Sequence, residues 1–232
     1  DAFADRAFAG NQAAVMILEA WPDDAVLAAI GAENNFAETA FVVKDAGQAS
    51  DWELRWFTPA CEVRLCGHAT LAAGHVLLNL EPAREAVTFA TRQAGQLIVR
   101  RATRGYELAL PTIPVSEEAW PEAVAGLGGA APQRVFRNPD RYNVFLYASA
   151  AEVLALAPDM RVLAALGDHQ FICTAAGTQS DVISRVFVPG AGVDEDSVTG
   201  SAHAVLTPLW TGLLGRLSFS AYQASARGGY LT

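Results

Sequence analysis

Cysteine is scarce in this sequence: three residues, Cys61, Cys66 and Cys173, in a chain of 232. Their number is odd and no two form a CxxC pair, which excludes a dense disulfide framework and fits a reducing compartment. Cations are also few, 16 Lys and Arg against 25 Asp and Glu, for a net charge of −9. That balance argues against nonspecific nucleic-acid binding and against attachment to anionic membranes, so any attraction for an anionic ligand has to be local. No apolar run approaches a bilayer span, the residues from Asp1 onward do not open on a charged-then-apolar stretch, and nothing is low-complexity. The expectation is a soluble, cytoplasmic protein. What remains is a globular composition, 52% apolar with aromatics throughout. Its length suits one large domain or two lobes of about 100 to 120 residues each.

The organising stretch runs from Leu54 to Leu78 and centres on Cys66-Gly67-His68-Ala69-Thr70. An alternating strand gives way at Thr58-Pro59 to a connector, and Gly67 opens an Ala/Leu run with helical spacing. A glycine there lets a ligand approach the backbone. The unpaired N–H groups of the first helical turn then offer donors and partial positive charge to a carboxylate or phosphate. A second version follows downstream: the strand Val182 to Val188, the acidic connector Asp194-Glu195-Asp196-Ser197-Val198, and Thr199-Gly200-Ser201-Ala202-His203 opening another Ala/Leu stretch. Two such mouths predict two similar lobes facing a shared cleft.

Other segments read more simply. The pattern predicts strands at Ala13 to Leu18, Ala40 to Val43, Tyr142 to Tyr147, Phe171 to Thr174 and Ser218 to Gln223. It predicts a short helix from Pro22 to Ile30, and Glu33 to Thr39 as a polar connector. Three runs, Val87 to Thr91, Gln96 to Arg101 and Tyr106 to Leu110, are joined by turns too short for parallel crossovers and so form an antiparallel meander. Pro111 to Pro114 marks the lobe boundary, giving lobes at 1–112 and 113–232, with the final strand able to cross back to the first lobe. Glu117 to Leu127 reads as a weak helix. Ser149 to Glu152 is a capping box for a helix that Pro158 interrupts.

Four groups could carry chemistry. Glu38 is a lone carboxylate before a buried strand, where desolvation would favour its protonated form and suit proton transfer; the alternative is a solvated strand-end glutamate. His68 and His203 stand beside the two glycines and could donate to a substrate oxygen or move a proton, or could be packed residues bonded to backbone. No HxxxH or HExxH spacing occurs, so no metal site is assigned. Asp196 is either a solvated loop residue or a group reaching the same cleft. Cys66, beside helix-end N–H groups, could be a nucleophile or base, although Thr199 stands where a matching thiol would be. Phe36, Trp56 and Tyr222 hint at a ring or apolar skeleton in the ligand, against their reading as core aromatics.

On these residues the chain resembles the PhzF-like family of phenazine biosynthesis, which shares the architecture of diaminopimelate epimerase. The matching segments are DAFADRAFAGNQAAV, NNFAETAFV, the Leu54 to Leu77 stretch, VISRVFVPGAGVDEDSVTGSAHAVLTPLW and AYQASARGG. The resemblance implies an α+β fold of two similar lobes, each a mixed, largely antiparallel sheet rolled around a central helix, with the active site between them. It implies a homodimer and a cofactor-independent isomerase that relocates a proton on a small carboxylate-bearing substrate. Carried over by position, Glu38 is the general acid/base, His68 and Asp196 are its partners, and Gly67, Gly200 and Ser201 hold the substrate carboxylate. Two departures stand out: Ala37 replaces the serine usual before the glutamate, and Ser197 replaces a proline, which predicts a looser connector around Asp196. The resemblance also implies further strands at both ends, so a longer protein is expected. Alternatives are a thiol-dependent racemase or epimerase of the same fold, and a small-ligand binder that performs no chemistry.

Overall fold

The computed structural model describes residues 1–232. The chain divides into two compact units, one of residues 1–2 and 11–110, the other of residues 3–10 and 111–232. The final strand does not cross to the first unit, as the sequence reading allowed. It pairs within the second sheet, and it is the segment Phe3–Gly10 that belongs with the other half of the chain.

In chain order the first unit contains β1 (Ala13–Leu18), α1 (Asp24–Asn34), β2 (Glu38–Lys44), β3 (Trp52–Phe57), β4 (Glu62–Val63), α2 (Gly67–Leu80), β5 (Ala86–Thr91), β6 (Gln96–Arg101) and β7 (Tyr106–Leu108). Its sheet is ordered β1-β2-β3-β5-β6-β7, with β4 added onto β3. The pairs β1/β2 and β3/β5 are parallel and the others antiparallel, including the expected meander β5-β6-β7. Ala69, Ala73 and Leu77 recur every four residues along α2 and make one buried stripe. The stripe packs on Ala40, Val42, Leu54, Trp56, Val87, Phe89 and Val99, the inward set of alternating strand positions. Because α2 touches both β1 and β7, the sheet curls around it.

Helix α1 runs to Asn34 rather than stopping at Ile30. Asn35 then ends it in the left-handed region (φ 50°) with its N–H on the Gly31 carbonyl, a conformation asparagine tolerates better than most residues. The polar connector is therefore shorter than expected, and Glu38 is the first residue of β2.

The second unit contains β8 (Ser116–Glu117), α3 (Pro121–Leu127), β9 (Arg134–Arg137), β10 (Tyr142–Leu146), α4 (Ala150–Leu154), α5 (Met160–Ala165), β11 (Gln170–Ala176), β12 (Val182–Val188), β13 (Val193–Glu195), α6 (Gly200–Leu214), β14 (Ala221–Gln223) and β15 (Gly229–Leu231). Its order is β15-β14-β12-β11-β10-β9-β8, with β13 on β12. The connectivity around α6 repeats that around α2. A parallel pair (β10/β11), an antiparallel partner (β12) and a short antiparallel strand (β13) lead into the helix, and the strand after the helix returns parallel to β12. Matching side-chain networks accompany the repeat. Arg55 forks onto Glu62 in the first unit and Arg185 onto Glu195 in the second. Asp51 binds Thr88 and Arg84, as Asp181 binds Ser220 and Arg216.

The expected capping box is present in α4. The Ser149 hydroxyl accepts the Glu152 N–H at 3.3 Å, and the Glu152 carboxylate accepts the Ala148 N–H at 3.0 Å. Pro208 lies inside α6 and cannot donate to the carbonyl four residues back. That carbonyl, on Ala204, instead accepts the N–H of Ile113 at 3.3 Å, so the helix continues through the proline. No helix is long and apolar enough to cross a membrane.

Candidate functional site

Cys66 is the extended N-cap of α2, Gly67 its first residue and His68 its second, and no acidic side chain occupies that first turn. The helix end therefore keeps its partial positive charge uncancelled by its own residues. Opening β2, Glu38 points to the face that α2 covers and brings its Oε2 to 3.0 Å from His68 Nε2. Its side chain is 18% exposed, and that of His68 is 6% exposed.

The imidazole is held from both sides. Nδ1 lies 3.3 Å from the Asn11 amide nitrogen and 3.4 Å from the Cys66 sulfur, while Nε2 lies 3.1 Å from the Gln12 carbonyl oxygen. In the neutral ring, Asn11 donates to Nδ1 and the proton sits on Nε2; in the charged ring both nitrogens donate. The Nε2 proton is directed at the Gln12 carbonyl, and Glu38 Oε2 remains a buried oxygen with no hydrogen-bond donor. Burial works against charge on His68, but the Cys66 sulfur and the Glu38 carboxylate outweigh it and hold the ring well above its ordinary value. Burial pushes the Cys66 thiol upward, against the pull of His68 and the helix end.

Glu38, Cys66 and His68 each offer a donor atom within 4.8 Å of the others, a carboxylate, a thiol and an imidazole that could hold a metal ion. Sequence spacing gave no sign of this set because its members come from two separate elements.

The remaining expected residues lie in the second unit. Asp196 follows β13 and donates its N–H to the Val186 carbonyl at 3.0 Å. The Thr199 hydroxyl, at the N-cap of α6, donates to Asp196 Oδ2 at 2.5 Å. Gly200 and Ser201 are the first two residues of α6, both half-buried, with no acidic residue in that turn. His203 takes its packed reading: Nδ1 donates to the Thr199 carbonyl at 2.8 Å, and burial lowers its tendency to charge. Trp56 is core, Phe36 is exposed, and Tyr222 lies against Tyr230, the rings tilted by 35° with centres 4.7 Å apart.

Sequence reasoning passed over Asn11 and Gln12, which orient His68, and Gln223, which binds the connector at Asp196 and Thr199. All three fall inside the motif segments of the resemblance. Their chemistry became visible only through contacts to residues far along the chain.

A family model described as phenazine biosynthesis-like protein matches residues 1–232. An uncharacterized isomerase of Pseudomonas aeruginosa is 46% identical over 233 residues, spanning 100% of this chain and 87% of that protein. Among solved structures, a phenazine biosynthesis protein of the PhzF family from Enterococcus faecalis superposes with a TM-score of 0.91 at 42% identity, covering 100% of this chain and 88% of that one. A predicted epimerase from Pseudomonas aeruginosa, at 22% identity and a TM-score of 0.71 over 100% of this chain and 88% of that one, shows the same fold.

Proposed function

Because this chain belongs to the phenazine biosynthesis-like protein family, we propose that it is an isomerase relocating a proton on a small carboxylate-bearing substrate, without a cofactor. Glu38 is the general acid/base, His68 and Asp196 are its partners, and Gly67, Gly200 and Ser201 bind the carboxylate. The observation that carries the reading is the Glu38 carboxylate, one oxygen buried without a donor and 3.0 Å from His68 Nε2 at the mouth of α2. A carboxylate placed there can take a proton from a substrate carbon, and the same group can return it at another carbon. Removing a proton near a carboxylate builds negative charge. First-turn N–H groups stabilise such charge without reorganising during the reaction. The same family reading makes the protein a cytoplasmic homodimer, which light scattering of the purified protein tests for its oligomeric part.

Proton relocation is measured as deuterium entering a carbon of the substrate when small aromatic and amino acids are incubated with the protein in D2O. Glu38→Gln keeps shape and removes the proton acceptor, so exchange should fall by about 10³-fold or more while ligand protection against unfolding persists. Full exchange in that variant removes Glu38 from the mechanism. Protection without deuterium incorporation in the unaltered protein supports a non-catalytic binder instead. The sulfur 3.4 Å from His68 Nδ1 keeps a thiol-dependent racemase in play, and Cys66→Ser decides it. Retained exchange assigns the proton to Glu38.

A further inference from the structure

Ser197 leads to the expectation of a loose Asp196 connector, yet the structure binds that segment closely. Gln223, fully buried at the end of β14, spends its side chain on it. Its Oε1 accepts the Thr199 N–H at 2.8 Å, and its Nε2 donates to the Asp196 carbonyl at 2.9 Å and to Thr199 Oγ1 at 3.2 Å. Ser225 adds a hydroxyl bond to the Ser197 carbonyl at 2.6 Å, and the Ala224 N–H ties the strand end to Ser184 at 2.7 Å.

The direction of these bonds is fixed by chemistry. Only an oxygen of the Gln223 amide can face the Thr199 N–H, which leaves its NH2 facing Thr199 Oγ1. The threonine oxygen must accept there, so its single proton goes to Asp196 Oδ2, 2.5 Å away. The side chain of an N-cap threonine usually accepts from its own helix. Here Thr199 makes no such cap bond, and its hydroxyl serves the carboxylate instead.

We propose that Gln223 is a positioning residue acting through Thr199: the pair locks the connector and fixes the Asp196 carboxylate in one orientation for the proton-relocating reaction. This rests on the role given to Asp196 above. A lock of this kind substitutes for backbone rigidity, since five hydrogen bonds from Gln223, Thr199 and Ser225 hold a segment that has no proline.

Two measurements test it. Hydrogen exchange at the Thr199 amide needs no substrate: it should speed up at least about 10-fold in Gln223→Leu, with amides in the β10/β11 pair unchanged. An unchanged Thr199 rate means there is no lock and overturns the proposal, whatever the protein catalyses. The second measurement is kcat against KM for deuterium incorporation. Thr199→Val removes only the hydroxyl and should lower kcat about 10- to 100-fold with KM within about 3-fold, and Thr199→Ser should restore it. Gln223→Leu and Thr199→Val together should be no worse than the weaker single variant, and Gln223→Leu should add nothing in an Asp196→Asn background. Independent, multiplying losses, or failure of Thr199→Ser to rescue, overturn the relay. Absence of incorporation in the unaltered protein would instead overturn the isomerase reading, and with it the catalytic role assigned here to the lock.

Discussion

Gly74 offers a test of how α2, and with it His68, is seated. A Cβ at this position would stand 2.5 Å from Val99 Cγ1, 2.6 Å from its Cβ and 2.9 Å from its Cγ2. Carbon atoms prefer about 3.5–4.0 Å, so helix and strand would have to part by roughly 1 Å. Val99 is fully buried and stiff at χ1, and its Cβ is among the atoms met, so no change of rotamer clears the space. Replacing a helical glycine by alanine gains about 1 kcal/mol where nothing interferes. Overpacking costs about 1–3 kcal/mol. Gly74→Ala should therefore fall short of that gain and lose up to about 2 kcal/mol net. Gly212 in α6 is the control, because nothing lies within 4 Å of a Cβ built there. Gly212→Ala should gain up to about 1 kcal/mol. Urea midpoints at unchanged m-value measure both. If Gly74→Ala raises the midpoint as Gly212→Ala does, the seating of α2 against β6 is not as described.

The raised proton affinity of His68 gives a signed pH dependence. The folded ring binds its proton above the unfolded value of about 6.5, so this stabilisation is complete below about pH 6.5 and is lost as pH rises through the raised value. The stability gap between the unaltered protein and His68→Gln should therefore shrink from pH 6 to pH 9 in urea melts, and a gap that widens refutes the assignment. Arg55, buried at 3% exposure, donates to Glu62 at 2.7 and 2.8 Å and to Asp24 at 2.8 Å, with Trp21 and Phe57 under its guanidinium. Arg55→Lys keeps the charge but not the fork, and should cost about 2 kcal/mol; a loss under about 0.5 kcal/mol would make the fork incidental.

Local sequence determined the pieces whose cause is local. Glycine followed by an Ala/Leu run set the starts of α2 at Gly67 and α6 at Gly200, alternation marked β3, an apolar run marked β1, and short turns required the meander. Ser149 and Glu152 announced the start of α4 through bonds spanning three or four residues. Where a boundary depended on one left-handed residue, as at Asn35, the pattern stopped α1 too early. Elements such as β9 and β15 gave no signal, because four- and three-residue strands are shaped by the partner they pair with.

Tertiary structure alone decided the contacts that carry the chemistry. Glu38 meets His68 across two elements, Asn11 and Gln12 reach the same ring from the start of the chain, and Gln223 returns to Thr199. A hydrogen bond between residues tens of positions apart leaves no periodicity in the sequence. It forms only after the apolar stripes of α2 and α6 have bound their sheets, so hydrophobic spacing is legible in advance, and the polar partners are the result of packing.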